Sequence, residues 1–278
     1  MQIIGNMSPR RKNRFTLGKN FDHMFDDTVI ETPKGVVKPE AEPGEFGGGS
    51  KESQSFKDKG LIKGSDFIHF TLPYEFDIAI AESHKGINWY EQNKQVLDRG
   101  LHVATPLEFM TMFQGVVDSY KNNTRLFDAD KNSLKRSVII DLYKFLTSDY
   151  TGGSWCNLNA LFRKDDNKCK MLQAVRVDTS KGSESKDQLI YNPTQIQDPF
   201  MKDCFVDFND LTSLGLPKKE HSSKKYTAGE NIYFYHLSNN AVARFGAYPV
   251  NAVLGCDRGP RGAYAGLGVR EARTQSSC

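Results

Sequence analysis

From Phe245 the chain reads Gly246-Ala247-Tyr248-Pro249-Val250-Asn251-Ala252-Val253-Leu254-Gly255-Cys256-Asp257-Arg258-Gly259-Pro260. It continues Arg261-Gly262-Ala263-Tyr264-Ala265-Gly266-Leu267-Gly268-Val269-Arg270. Small or apolar residues (Ala252, Leu254, Cys256, then Ala263, Ala265, Leu267) alternate with residues that share no chemistry (Val253, Gly255, Asp257, then Gly262, Tyr264, Gly266). In an extended chain, period two puts these sets on opposite faces. The stretch therefore predicts strands with one packed face and one chemically arbitrary face.

The arbitrary face has a compositional mark. Lys, Glu, Gln, Met and Trp fill 56 of the 278 positions, yet the 40 residues between Glu230 and Glu271 contain none, where about eight would fall by proportion. Strands are poor in Lys and Glu, which accounts for part of this deficit. These five types are also the ones that an Asn codon ending in C or T cannot reach when its two adenines are randomised. Asn, Asp, Gly, Tyr and Val are all reachable.

Upstream, the pattern is helical first and strand-like later. Asp66 to Phe70 and Tyr74 to Ala81 read as short strands. Ile87 to Leu97 reads as a helix stopped by Gly100. Thr105-Pro106-Leu107-Glu108 combines an N-cap, a proline at the first helical position and a capping-box glutamate. Phe109, Met112, Phe113, Val116, Val117 and Tyr120 then recur at helical spacing, so one face of that helix belongs to the core. Leu134 to Leu146 predicts a further amphipathic helix. From Trp155 the period becomes two, with Cys156, Leu158, Ala160 and Phe162 on one face, and Met171–Val177 and Asn231–Leu237 continue as strands. Asp178 to Asp187 and Pro217 to Lys225 are long polar loops. This order predicts an α+β domain over residues 61–278. Residues 1–60 mix Pro, Gly, Ser and charge behind a basic cluster, Pro9-Arg10-Arg11-Lys12-Asn13-Arg14, and predict a flexible or extended arm.

Several functional classes lack their signatures. A net charge of +3 is too small and too evenly spread to argue for nucleic acid. No run reaches the roughly 18 to 20 apolar residues of a membrane helix, and no Sec signal pattern opens the chain. Five widely spaced cysteines form neither a disulfide framework nor a zinc site, and four of them read as small buried hydrophobes with Cys278 exposed. The stretch Asp128-Ala129-Asp130-Lys131-Asn132 starts like a calcium loop but lacks the glycine and glutamate such a loop needs. His69 and His236 sit within strand patterns and read as structural. No catalytic motif is present, so neither enzymatic activity nor a metal or other cofactor is expected.

At the C-terminal segment the chain resembles the variable proteins of diversity-generating retroelements, which carry a variable region on a C-type-lectin-like fold. Gly266-Leu267-Gly268-Val269-Arg270 is similar to the family's closing strand, and Ala243-Arg244-Phe245 to the lead-in to its variable region. Gly100 to Phe109 resembles the segment that enters a core helix, and Trp155 after Gly152-Gly153-Ser154 loosely fits a middle strand. The resemblance implies a C-type-lectin-like (formylglycine-generating-enzyme-like) domain with its variable region at about 241–271. It implies a ligand- or receptor-binding protein, displayed on a virion or cell surface, whose partner is a protein or glycan rather than nucleic acid or membrane. The expected variable face comprises Gly246, Tyr248, Val250, Asn251, Val253, Gly255, Asp257, Gly259, Gly262, Tyr264 and Gly266, as one exposed patch with Pro249 and Arg261 at its rim. Leu254, Cys256, Ala263, Ala265 and Leu267 are expected underneath. Two alternatives stay open: an invariant viral structural or attachment protein, and an oxidase of the same fold. The oxidase needs a close cysteine pair, and Cys256 has only Cys278 near it in sequence.

Overall fold

The computed structural model describes residues 63–147, 154–165, 168–180, 188–197, 202–218, 222–248 and 250–274, all within a unit that begins at Gly49. The predicted arm at 1–60 lies outside the described residues, as do Pro249 and Cys278. The architecture is mixed α+β, with three α-helices and two sheets among the described residues.

The smaller sheet has the order β3-β13-β2-β1-β4. Its strands are β1 (Phe67–Phe70), β2 (Phe76–Ala79), β3 (His102–Val103), β4 (Phe127–Asp128) and β13 (Glu271–Thr274). Ala272 of the last strand pairs antiparallel with Ile78 of the second, so the end of the described chain is stitched to its beginning. The larger sheet has the order β7-β6-β5-β10-β11-β9-β8, and β12 (Gly268–Val269) pairs parallel with β5 off that path. Its strands are β5 (Trp155–Asp165), β6 (Lys168–Val177), β7 (Leu189–Ile196), β8 (Cys204–Asp207), β9 (Asn231–Tyr235), β10 (Val242–Tyr248) and β11 (Asn251–Arg258). All neighbours are antiparallel apart from β9 with β11 and β12 with β5.

The helices are α1 (Trp89–Leu97), α2 (Pro106–Asn122) and α3 (Arg136–Thr147). Helix α2 starts where its capping box predicts. The Thr105 hydroxyl accepts from the Glu108 amide, and Glu108 Oε2 accepts from the Thr105 amide at 2.8 Å. Phe109, Met112, Phe113, Val116 and Val117 are buried, and the Phe109 and Phe113 rings meet Phe245 of β10. Helix α2 thus packs on the inner face of the larger sheet, where Cys156, Leu158, Ala160 and Phe162 of β5 join Ala243, Phe245 and Ala247 of β10. Leu142, Tyr143 and Leu146 of α3 complete this core.

The other side of the larger sheet is partly roofed by α1. Trp89 is fully buried, donates from its indole Nε1 to the Leu158 carbonyl (2.8 Å), and packs with Leu161, Ala174, Leu189 and Val242. Strand β5 is therefore buried on both faces over much of its length, which simple alternation did not indicate. Strands β7 and β8 were also not foreseen; both lie at the edges of the sheet, where burial patterning is weakest. Among the described residues no helix is long and apolar enough to cross a membrane.

Candidate functional site

The candidate site is the face of β8, β9, β11, β10 and β5 that points away from α2. Its layout follows from the strand registers. Phe205 pairs with Tyr233, Tyr233 with Val253, Val253 with Gly246 and Gly246 with Trp155, so these five residues form one row across five strands. At about 4.8 Å per strand the row is roughly 19 Å long. A second row runs parallel to it: Tyr235, Gly255, Arg244 and Asn157. The first row is aromatic and aliphatic, and the second is mainly polar.

The glycines decide how this face closes. A Cβ at Gly246 would lie 2.9 Å from the Tyr248 ring, because Tyr248, two residues along the same strand, folds back over the space that the missing side chain leaves. Trp155 meets Tyr248 edge-on at 5.0 Å. Tyr248 is consequently only 8% exposed, and burial, with Tyr235 and Asp257 adding to it, pushes its phenol well up. At Gly255 the nearest groups are the Asp257 carboxylate, 3.3 Å from a built Cβ, and the Tyr235 ring at 3.9 Å. Burial is the main cause that raises the Tyr235 phenol, to about 12, with Tyr233, Asp257 and Asp203 contributing. Burial likewise lifts Asp257 above the ordinary carboxylate value, against the pull of Arg258, whose Nε is 3.5 Å away.

A buried polar chain holds the segment that follows β11. Arg244 Nε donates to Asn157 Oδ1 (2.8 Å) and its Nη2 to the Gly259 carbonyl (2.6 Å). Asn157 Nδ2 donates to Gln92 Oε1 (2.6 Å), and Gln92 Nε2 donates to the carbonyls of His84 and Leu267. The Trp89 amide donates to the Pro260 carbonyl at 3.0 Å. The Arg244 guanidinium lies 6.0 Å from the centroid of the Tyr264 ring, which puts Tyr264 on the same side of the sheet as Tyr248. Helix α1 and the sheet thus grip residues 259–267 through backbone carbonyls, a means of attachment open to many sequences.

The eleven expected surface positions do not form one exposed patch. Gly246, Tyr248, Asn251, Val253, Gly255 and Gly262 are buried. Asp257, Gly259 and Tyr264 are half-buried, and Val250 and Gly266 are exposed. The burial of these positions has a physical reason. The outer face is concave where glycines remove side chains, and Tyr248, Tyr264 and Arg244 collapse into those hollows. Asn251 and Val253 are buried as well, at 5% and 6% exposure. Arg261 is exposed, as expected of a rim residue. The expected packed set also divides. Leu254 and Cys256 are fully buried and Leu267 nearly so, but Ala263 and Ala265 are exposed, because 259–267 is a loop and not a strand.

Sequence reasoning missed Phe205, Tyr233, Tyr235 and Trp155 as members of this face, all of them half-buried. The strand reading of 231–237 already placed Tyr233 and Tyr235 opposite Phe234, and that alternation was the available signal. Of the structural histidines, His69 Nδ1 lies 2.8 Å from Asp77 Oδ1 and His236 Nδ1 lies 2.7 Å from Asp203 Oδ1. Among the described residues no group of three or more His, Cys, Asp or Glu could hold a metal ion, and Cys156, Cys169, Cys204 and Cys256 are buried. Burial pushes the Cys156 and Cys256 thiols well up. In comparisons with protein-family models, curated proteins and solved structures, nothing matches this chain.

Proposed function

We propose that this protein is a binding protein, not an enzyme, which recognises a protein or glycan on a target surface through the outer face of β8, β9, β11, β10 and β5. The observation that carries this reading is the row, roughly 19 Å long, that crosses five strands with half-buried Phe205 and Tyr233 towards one end and half-buried Trp155 at the other. Large rigid aromatics supply contact area at low entropic cost, and they dominate recognition surfaces for that reason. In this reading the domain is C-type-lectin-like, and the segment 241–271 is the variable region of a diversity-generating retroelement. The deficit of Lys, Glu, Gln, Met and Trp over 231–270 supports the second part.

Burial sharpens what diversification would require. Randomisation is tolerable where side chains meet solvent or ligand, since surface changes usually stay within about 0.5 kcal/mol. At packed positions most replacements cost about 1 to 5 kcal/mol. Variation should therefore fall on Val250, Asp257, Gly259, Tyr264 and Gly266, and spare Gly246, Tyr248, Asn251, Val253, Gly255 and Gly262. The test is the DNA that flanks the coding sequence. A near-copy of the codons for 241–271 beside a reverse transcriptase, with adenines at the codons for the five open positions, is the expected result. Adenines confined to the six buried codons would break the link between burial and variation. Absence of any near-copy would leave the second reading, an invariant viral structural or attachment protein, which the burial of six of the eleven positions favours.

A further inference from the structure

Arg270 stands between β12 and β13 and is fully buried. Its Nη1 donates to the Ala79 carbonyl at 3.0 Å and to the Ile80 carbonyl, which fixes the plane of the guanidinium. Nε and Nη2 are buried as well, but neither has a hydrogen-bond partner. These two nitrogens share one edge of the guanidinium, and their parallel N–H bonds form the fork that a carboxylate fills with both oxygens. Buried donors are nearly always paired, so a fork of two unpaired donors calls for an acceptor. Burial works against the charge of Arg270, and Glu82 and Cys156 act in its favour. Both oxygens of Glu82 are engaged elsewhere. Oε1 accepts from Ser154 Oγ and from the Trp155 amide at 3.1 Å, and Oε2 lies 3.3 Å from Lys85 Nζ. The guanidinium also borders a cleft of about 490 Å³, lined by Ile80, Val138, Asp141, Leu142, Lys144 and Phe145. Val138, Asp141, Leu142 and Phe145 recur at helical spacing on α3, so one stripe of that helix forms a wall, with Ile80 just after β2 completing it. Arg270 meets two of these lining residues: it donates to the Ile80 carbonyl, and its Cζ lies 5.8 Å from the centroid of the Phe145 ring.

We propose that the cleft and the Arg270 fork together form a site for a small amphipathic carboxylate, in chemical class a medium-chain fatty acid. Its acid group sits on Nε and Nη2, and its chain lies between Ile80 and α3. The cleft falls within the size range of small-molecule sites, roughly 300 to 1,000 Å³. Leu142 is buried and Ile80, Val138 and Phe145 are half-buried, whereas Asp141 is exposed, so apolar groups form the depth of the cleft and a charge marks its mouth. One guanidinium balances one negative charge. A phosphate ester would bring a second charge towards Glu82, and an unbalanced buried charge is costly. The fork is sealed from solvent, and the half-buried Phe145 ring borders both the guanidinium and the cleft. Turning this ring is the movement that admits the acid. The site lies on the α3 side of the larger sheet, so it stands or falls apart from recognition by the outer face.

The test is a titration of the isotope-labelled full chain, followed by NMR at the Arg270 Nε–H and the Leu142 methyls. Four probes are used: octanoate, its neutral amide octanamide, acetate, and octyl phosphate. Octanoate should bind about tenfold more tightly than octanamide or acetate, and should shift the Arg270 Nε–H and the Leu142 methyls with one midpoint. Val138→Trp, which fills the cleft from α3, should weaken octanoate about tenfold. Thermal melting checks that this variant is folded, and the comparison of probes needs no variant at all. Equal binding of octanoate and octanamide overturns the acid anchor. Leu142 shifts without a shift at the Arg270 Nε–H overturn it too, and place the acid on Lys144. Tighter binding of octyl phosphate overturns the carboxylate assignment. Absence of octanoate binding overturns the site.

Discussion

Ala252, Leu254 and Cys256 are fully buried on β11, whereas Ala263 and Ala265, spaced in the same way along the chain, face solvent and only Leu267 of their run is buried. The two runs carry the same alternation and differ in their neighbours. β11 lies between β10 and β9, so every second side chain is pressed into the core shared with α2. Residues 259–267 have no ladder of that kind. They are attached through carbonyls that accept from Arg244, Trp89 and Gln92, and a carbonyl anchor imposes no period on the side chains. Alternation alone therefore does not bury a strand face; pairing into the sheet that packs on α2 does.

The largest test of this contrast substitutes the same charge into each run. Leu254→Asp should cost at least about 4 kcal/mol, since it buries a carboxylate without a partner. Ala263→Asp and Ala265→Asp should each stay within about 0.5 kcal/mol. Urea denaturation of the three variants measures this directly. A folded Leu254→Asp protein of normal stability, or loss of folding in either alanine variant, would reverse the assignment of the two runs.

A smaller effect should come from the polar anchors. Arg244→Met removes two hydrogen bonds from a buried guanidinium and strands Asn157, for an expected loss of about 2 to 4 kcal/mol. The informative readout is local: amide exchange at Trp89, which donates to Pro260, should accelerate more than exchange at Phe245 or Leu254. Uniform acceleration would mean that Arg244 supports the whole sheet and not the 259–267 loop in particular.

The pH dependence divides the molecule in a related way. Burial alone would raise Glu108 and Glu271, but the hydrogen bonds and charge of His102 with Thr105, and of His84, Ser83 and Arg99, outweigh it and hold both carboxyls below their ordinary value. A carboxylate whose folded pKa is depressed contributes stability above its unfolded pKa, about 4.3, and that contribution is lost as the pH falls through the folded value. Asp257 has the opposite sign, because its raised pKa means that ionisation in the folded state is disfavoured. Unfolding free energy measured between pH 7 and pH 3 should therefore fall on acidification. Glu108→Gln should lower stability at pH 7 by about 1 to 3 kcal/mol and flatten that fall. The smallest effect is expected from Asp257→Asn, a gain of at most about 0.5 kcal/mol at pH 7 that disappears in acid. A loss of stability in Asp257→Asn at pH 7 would mean that the pairing with Arg258 outweighs burial.

Much of the fold was readable because local chemistry decided it. The capping box at Thr105 and Glu108 starts α2 from four adjacent residues, and the 3.6-residue recurrence from Phe109 to Val117 names its buried face. Cys156, Leu158, Ala160 and Phe162 were legible as a core strand face for the same reason. The site was less legible. Tyr248 looks like a surface residue beside Gly246 and is buried because Gly246 leaves room for its ring. Nothing at positions 203 and 205 points to positions 233 and 235 until β8 pairs with β9, more than 25 residues later in the chain.

The sequence alone determined the three helices, the strands β1, β2, β5, β6, β9 and β11, and which face of α2, β5 and β11 packs on the shared core, since these depend on neighbours three or four residues away on a helix or two residues away on a strand. Only the tertiary structure decided which of two equal alternations is paired into a sheet, how far aromatic side chains fold into the hollows beside glycines, and which rings and carboxylates stand side by side on the outer face. Those outcomes depend on strand register and on space left by residues distant in the chain, and neither quantity is encoded within a local stretch of residues.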